Sequence, residues 1–263
     1  MTGSLTIVGL GPGTPGWITP AAQAALDAAT DLVGYGPYLD RLPEREGRTR
    51  HASDNRVEVE RASHALRLAA EGREVAVVSG GDPGVFAMAA AVFEALEAGP
   101  AAWRRIPITV EPGITAMLAA AARAGAPLGG DFCAISLSDN LKPWEVVTAR
   151  LEAALAADFV ICLYNPISKA RPWQLGKALE LAARHRAADT PVLFARAIGR
   201  ADESLRVPTL ADSVAAAGTA DMATLVIIGA SSTRLIVREG TPPYVYTPRS
   251  VAKSPCATSQ GRT

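Results

Sequence analysis

Three short runs rich in β-branched residues, 5–9, 74–79 and 106–110, each break off into a loop of glycine and proline, and alanine-rich stretches separate them. The loops read Gly11-Pro12-Gly13-Thr14-Pro15-Gly16, Gly80-Gly81-Asp82-Pro83-Gly84 and Pro112-Gly113. Strands alternating with helix-length segments define an α/β chain. Thr19-Pro20 predicts a helix start, with Thr as the cap and Pro at the first helical position, and that helix runs over 21–29. Residues 31–34 read as a second strand. Further helices are predicted over 57–71, where Gly72 supplies the stop, over 85–97 and over 114–124.

The stretch Gly125-Ala126-Pro127-Leu128-Gly129-Gly130 interrupts every periodic pattern and marks a domain boundary. A chain of 263 residues is long enough for two domains. The expectation is therefore two α/β domains with mixed sheets, residues 1–125 and 131–248. The second domain is predicted to carry strands at 132–136, 159–164, 192–197, 204–207 and 224–229, with helices at 143–156, 171–186 and 210–217. Proline, serine and glycine dominate from Gly240 onward, and residues 249–263 read as a flexible tail.

Twenty-six basic side chains balance 26 acidic ones, which argues against a general nucleic-acid binder. Cys133, Cys162 and Cys256 stand far apart with no ligand spacing, so neither a disulfide scaffold nor a metal site is expected. No basic segment followed by an apolar core opens the chain and no apolar run has membrane-spanning length, so a cytoplasmic protein is the expectation.

In open α/β sheets ligands sit beyond the carboxyl ends of the strands, where glycine lets a ligand approach the main chain. Three glycine loops in succession at such ends point to a ligand site rather than to three tight turns. Gly11 to Gly16 spell G-x-G-x-x-G, the dinucleotide fingerprint. Pro12 and Pro15 remove donors that a pyrophosphate needs, and Asp31 precedes its strand where a ribose ligand follows one, so the dinucleotide reading is set aside.

Gly9-Leu10-Gly11-Pro12-Gly13, Ser79-Gly80-Gly81-Asp82-Pro83 and Pro112-Gly113-Ile114-Thr115-Ala116 together resemble the tetrapyrrole methylases, which use S-adenosylmethionine to methylate carbon on the routes to vitamin B12 and sirohaem. The run 131–139, Leu141-Lys142-Pro143-Trp144, Leu163-Tyr164-Asn165-Pro166, Arg171-Pro172-Trp173-Gln174-Leu175 and Arg196-Ala197-Ile198-Gly199-Arg200 resemble the subgroup that methylates C17 of a corrin precursor and contracts its ring. The resemblance covers about residues 5–248. It implies the tetrapyrrole methylase fold, an active-site cleft between the domains, S-adenosylmethionine as cofactor with S-adenosylhomocysteine as its product, a small-molecule tetrapyrrole substrate and a homodimer. Alternatives are another carbon of the same macrocycle, a cobalt-containing substrate, or a nucleotide-binding module without chemistry.

By the same resemblance Gly80, Gly81, Asp82, Val85, Thr115 and Ala116 are expected at the methionine end of the cofactor. Tyr164, Asn165, Ala197 and Thr224 are expected at its adenosine, and Pro12 at the mouth of the substrate cleft. Asp82 suits an α-ammonium, with capping of the next helix as the plain alternative; Asn165 suits an adenine or ribose edge, with an Asn-Pro turn as its alternative. Ring contraction needs a group that gives a proton and one that accepts it. Ser136, Ser138, Asp139 and nearby Asp131 are the candidates, against a helix cap before Pro143. Gly130 stands where the resemblance leads one to expect His. A basic stretch, Arg41, Arg45, Arg48, Arg50, His51, Arg56 and Arg61, is either a solvated face or a grip on the substrate's acids. His64 and His185 read as ordinary helix residues, and Trp144 and Trp173 as packing or as a stacking surface for a flat ligand.

Overall fold

The computed structural model describes residues 3–54, 57–168 and 170–250. The expected tail falls almost wholly outside them, as do Cys256 and Arg56. Two compact units emerge: residues up to Ala119 together with Ala197–Glu203, and Ala120–Arg196 with the chain from Ser204 onward. The units thus meet inside a helix rather than at 125–131, and a short piece of the expected second domain packs with the first.

The first unit runs β1 (Ser4–Gly9), α1 (Pro20–Ala28), β2 (Asp31–Tyr35), α2 (Gly36–Leu39), β3 (Thr49–Ser53), α3 (Glu58–Ala70), β4 (Glu74–Ser79), α4 (Met88–Ala98), β5 (Ile108–Glu111) and α5 (Ala116–Ala124). Its sheet has the order β3-β2-β4-β1-β5 and every pairing is parallel, so mixed pairing is confined to the second unit. Alternation sorts the strand residues to two faces. Leu5, Ile7, Val75 and Val77 pack with Ala62, Leu66 and Val92 of α3 and α4, while Val8, Leu32 and Val78 pack with Ala22, Leu26 and Leu39 of α1 and α2. The predicted cap of α1 is present: Thr19 Oγ1 accepts from the Ala22 N–H at 3.1 Å, with Pro20 at the first position.

The second unit adds β6 (Gly125–Ala126), β7 (Phe132–Ser136), α6 (Trp144–Ala156), β8 (Val160–Tyr164), α7 (Gln174–Ala182), β9 (Val192–Arg196), β10 (Ser204–Arg206), α8 (Leu210–Ala216), β11 (Thr224–Ile228), β12 (Arg234–Arg238) and β13 (Thr241–Tyr246). The main sheet, β10-β9-β11-β8-β7, is mixed: β7 and β8 are parallel and the other pairs antiparallel. Ile135, Ile161, Leu163, Phe194 and Val226 face Val147, Leu151, Leu175 and Leu179 of α6 and α7. Cys162 lies in this sheet, and burial pushes its thiol up to about 12.

Four expectations are corrected. Helix α4 starts at Met88, not at residue 85, because Pro83-Gly84 turn the chain and Phe86 takes φ 52°. Val85 is therefore a loop residue. Helix α7 starts at Gln174, with Trp173 as its N-cap and Pro172 in the bend before it. Gly125-Ala126, read as a break, is a strand beside β13; a Cβ on Gly125 would stand 2.8 Å from the Val245 carbonyl oxygen, so only glycine fits. The hairpin of β12 and β13 lies between the strand at 224–229 and the tail, where the sequence reading places no element.

Candidate active site

In a parallel sheet all strands end on one edge, so the three glycine loops of the first unit share it. Register places Gly9 opposite Ser79 and Val8 opposite Glu111, with β1 central. The loops are in main-chain contact. Leu10 N–H donates to the Ser79 carbonyl at 2.9 Å, and Gly11 and Gly81 exchange N–H···O bonds at 3.1 and 3.0 Å. A Cβ on Gly113 would lie 2.2 Å from the Gly81 carbonyl oxygen, and one on Gly9 2.6 Å from Gly113 N. One on Gly80 would meet the Tyr38 ring at 2.6 Å, whereas Gly81 is glycine because its φ is +68°.

Asp82 fastens two of these loops. Its Oδ1 accepts from Gly84 N–H at 2.8 Å and its Oδ2 from Gly113 N–H at 3.1 Å. Helix α4 has no side-chain cap, so the capping alternative for Asp82 does not hold. A carboxylate has about four acceptor positions, and two remain open to a cationic ligand group. Val85 and half-buried Pro12 flank the same edge; Thr115 is 5 % exposed and Ala116 opens α5.

Arginines brace the first loop. Arg41 donates to the carbonyls of Leu10, Gly11 and Gly13 at 2.9, 3.1 and 2.8 Å, and Arg200 donates to Pro12 O at 3.3 Å. Burial and then the Arg200 charge lower the Arg41 pKa. Arg45, Arg48 and Arg50 likewise donate to carbonyls, of Asp27, of Leu26 and Pro43, and of Leu42. The basic stretch is thus in large part internal bracing, neither a solvated face nor wholly a grip for substrate. Sequence reasoning missed this because hydrogen bonds to main chain leave no pattern in residue type.

In the second unit, pairing puts Ser136 beside Tyr164 and Thr224 beside Arg196. Ser136, Tyr164, Asn165 and Thr224 therefore stand along one edge of the sheet, and Ala197 follows directly from β9 there. Asn165 and Ala197 both take φ 51°, a conformation L-residues seldom adopt, and such strain concentrates at ligand sites. Thr224 Oγ1 donates to Asp221 Oδ1 at 2.8 Å, while Arg196 Nε donates to Asp221 Oδ2 at 2.8 Å. Burial raises the Asp221 pKa, but those two hydrogen bonds and the Ala223 N–H outweigh it and leave the net shift downward.

The proton-transfer candidates divide. Ser136 Oγ accepts from Asn165 Nδ2 at 2.9 Å and from Ser138 N at 3.3 Å. Ser138 Oγ accepts from Arg171 Nη1, which also lies 3.4 Å from Asp139 Oδ1, and Gln174 Nε2 donates to Asp139 Oδ2 at 3.2 Å. With acceptor positions taken by N–H donors, both serine hydroxyls keep their protons to donate. Asp131 does not join them: it is exposed at the opposite end of β7, five residues or about 17 Å from Ser136. None of the group caps α6, whose N-cap is Pro143. Arg171 and Gln174 had been given no role from sequence. Gln174 is 1 % exposed, and its Oε1 has no hydrogen-bond partner among the described residues. Trp144 and Trp173 form an edge-to-face pair at 4.9 Å, which is packing. A Cβ on Gly130 would come 3.0 Å from Thr247 Cγ2.

The chain belongs to the tetrapyrrole (corrin/porphyrin) methylases, whose family model matches residues 4–213. It is accordingly a methyltransferase that takes its methyl group from S-adenosylmethionine. It is 59 % identical over 252 residues to a precorrin-3B C(17)-methyltransferase of Sinorhizobium sp, covering 96 % of this chain and 98 % of that one. A probable cobalt-factor III C(17)-methyltransferase of Salmonella typhimurium is 39 % identical over 93 % of this chain and 98 % of its own length. The solved structure of the methyltransferase CobJ superposes with a TM-score of 0.88 at 53 % identity, covering 94 % of this chain and all of that one.

Proposed function

We propose that this protein methylates C17 of precorrin-3B from S-adenosylmethionine and contracts the ring, yielding precorrin-4 in cobalamin biosynthesis. The observation that carries the substrate is the 59 % identity along 98 % of a precorrin-3B C(17)-methyltransferase. The glycine edge of the first unit fits the cofactor: open main chain at Gly81, one carboxylate at Asp82, and few other ionisable groups.

The sulfonium supplies an activated methyl group, so the protein has to align and shield rather than to activate. Gly80, Gly81, Asp82, Val85, Thr115 and Ala116 hold the methionine end, with the open acceptor positions of Asp82 on the α-ammonium. Tyr164, Asn165, Ala197 and Thr224 hold the adenosine, and Pro12 borders the macrocycle. For the ring contraction Ser136 and Ser138 donate hydrogen bonds to substrate oxygen, and Arg171 behind Ser138 strengthens that donor. Asp139, held by Arg171 and Gln174, accepts a proton. The protein works as a homodimer in the cytoplasm; no helix among the described residues is long and apolar enough to cross a membrane.

Incubation with precorrin-3B and labelled S-adenosylmethionine tests the reading. One added methyl by mass spectrometry and a contracted ring by carbon NMR are expected. Turnover of cobalt-factor III alone establishes the second reading, which the 39 % relative favours. Absence of methyl transfer to either overturns both, and sedimentation at a monomer mass overturns the dimer.

A further inference from the structure

Between β3 and α3 of the first unit lies a cavity of about 450 Å³, whose lining includes His51, Ser53, Glu60, Arg61, His64 and Arg67. Its floor holds a buried charge with no ion-pair partner; burial lowers the Arg61 pKa, and Glu58, one turn back on α3, offsets that only in part from beyond ion-pair distance. Arg61 is 5 % exposed, and its partners are neutral: Ser53 Oγ at 2.8 Å, Met88 Sδ at 3.3 Å and the Asp54 carbonyl. Among the described residues no carboxylate lies within ion-pair distance of it. A guanidinium taken out of water without an anion is costly, and a fold keeps one where something else supplies the anion. Beside it, Arg67 is exposed and its guanidinium has no hydrogen-bond partner among the described residues, whereas Arg50 alternates to the other face of the sheet and donates to Leu42 O. Glu60 is the one acidic group of the lining.

One end of the cavity, at Ser53, lies on the edge that carries the glycine loops, and the rest runs down between β3 and α3. Ser53 pairs with Tyr35, Tyr35 meets Tyr38 edge-to-face at 5.4 Å, and the Tyr38 ring covers Gly80. Strand β2 alone separates β3 from β4, a span of about 10 Å, which a tetrapyrrole bridges.

We propose that this cavity is a carboxylate subsite, in which a peripheral acid of the macrocycle provides the counter-charge of Arg61 while Arg67 closes over it. Guanidinium forks match carboxylates two oxygens at a time, which fits acid side chains on a flat ring. The proposal rests on the tetrapyrrole reading above, but not on the reaction.

Its test is titration of the full-length protein with uroporphyrin III, an octacarboxylate, followed by fluorescence quenching, beside S-adenosylhomocysteine titration by calorimetry. Arg67→Ala is expected to weaken the porphyrin about tenfold, with the loss shrinking in high salt, and Arg61→Met at least as much; Glu60→Gln is expected to tighten it. S-adenosylhomocysteine affinity stays at the parent value in all three. Porphyrin affinity unchanged in both arginine variants, or no porphyrin binding by the parent, overturns the subsite, as does a parallel loss of S-adenosylhomocysteine in Arg67→Ala. A parent that binds uroporphyrin III with these variant effects yet leaves precorrin-3B unmethylated overturns the reaction and supports the subsite.

Discussion

Asp82 accepts the Gly113 N–H at 3.1 Å, and through that bond the loop after β4 is tied to the loop after β5 across the end of β1. A single carboxylate thus sets the spacing of two loops proposed to hold the methionine end of the cofactor. Asp82→Ala leaves the Gly84 and Gly113 donors without acceptors, at about 1–3 kcal/mol for a donor left unsatisfied. S-adenosylhomocysteine affinity should fall more than tenfold by calorimetry. Asp82→Asn, which keeps one carbonyl oxygen, should fall between variant and parent; an Ala variant that binds normally would remove Asp82 from the site.

The glycines of the edge differ in what a methyl group would meet. On Gly113 it would lie 2.2 Å from the Gly81 carbonyl oxygen, which is main chain on both sides and unable to yield. Gly113→Ala should cost about 3 kcal/mol and abolish cofactor binding. Gly81→Ala has room but keeps φ at +68°, so about 1–2 kcal/mol is expected. Gly176, inside α7 with nothing within 4 Å, serves as the contrast: its replacement by Ala should stabilise by about 0.5–1 kcal/mol. Urea unfolding of the three variants orders them.

Most elements were legible because their signals are local. Thr19-Pro20 capped α1, the β-branched run 74–79 marked β4, and the glycine loops fell at strand ends. What stayed hidden depends on partners distant in sequence. Strand β3, Thr-Arg-His-Ala-Ser, lacks β-branched runs and is held by pairing with β2. Strand β13 contains Pro242 and Pro243, which hide a strand signal, and no element is predicted there. Ser136, Ser138 and Asp139 were found together from a turn-like cluster, but Arg171 and Gln174, more than 30 residues on, were visible only as a motif without a role. Asp131 was grouped with them by nearness in sequence, although a strand carries its two ends apart.

Arg41 is the clearest case of charge used as scaffold. Its three carbonyl partners lie on the first glycine loop. Arg41→Met keeps the length of the side chain and removes every donor. A loss of about 2–4 kcal/mol is expected, from charge-assisted bonds worth about 1.5–3 kcal/mol each and partly replaced by water. The melting temperature and S-adenosylhomocysteine affinity should drop together. Loss of macrocycle binding alone would instead make Arg41 a substrate ligand.

Asp139 and Arg171 divide binding from chemistry. Neither belongs to the loops assigned to the cofactor, so Asp139→Ala should bind S-adenosylhomocysteine as the parent does and yield contracted product at least tenfold more slowly. Arg171→Lys keeps the charge but not the fork that spans Ser138 and Asp139, and intermediate rates are expected. Unchanged conversion of the macrocycle by Asp139→Ala would take that residue off the proton path.

Stability should fall toward acid in two steps, each from a named group. Asp31, 1 % exposed at the start of β2, is held by Arg73 at 2.7 Å and His51 at 2.9 Å. Burial raises its pKa, but hydrogen bonds from Arg73, His51 and Thr30 win and hold the carboxyl at about 2, below the ordinary 3.8. A carboxylate harder to protonate when folded adds stability above about pH 4 that drains away as pH falls toward 2, about 2 kcal/mol in all. A carboxylate only accepts, so His51 Nε2–H donates to Asp31, and with both rings neutral His64 Nε2–H donates to His51 Nδ1 at 3.1 Å. Burial first, then the His51 and Arg67 charges, lowers the His64 pKa. The unfolded chain therefore takes up a proton near pH 6.5 that the folded one refuses, and stability declines from about that pH downward. Urea midpoints from about pH 8 to pH 3 should show both declines. His64→Gln should erase the upper one, and Asp31→Asn should reduce the lower one to the part that Asp221, also held below the ordinary range, contributes. A parent curve that stays level between about pH 7 and pH 5 would rule out His64 as the upper group.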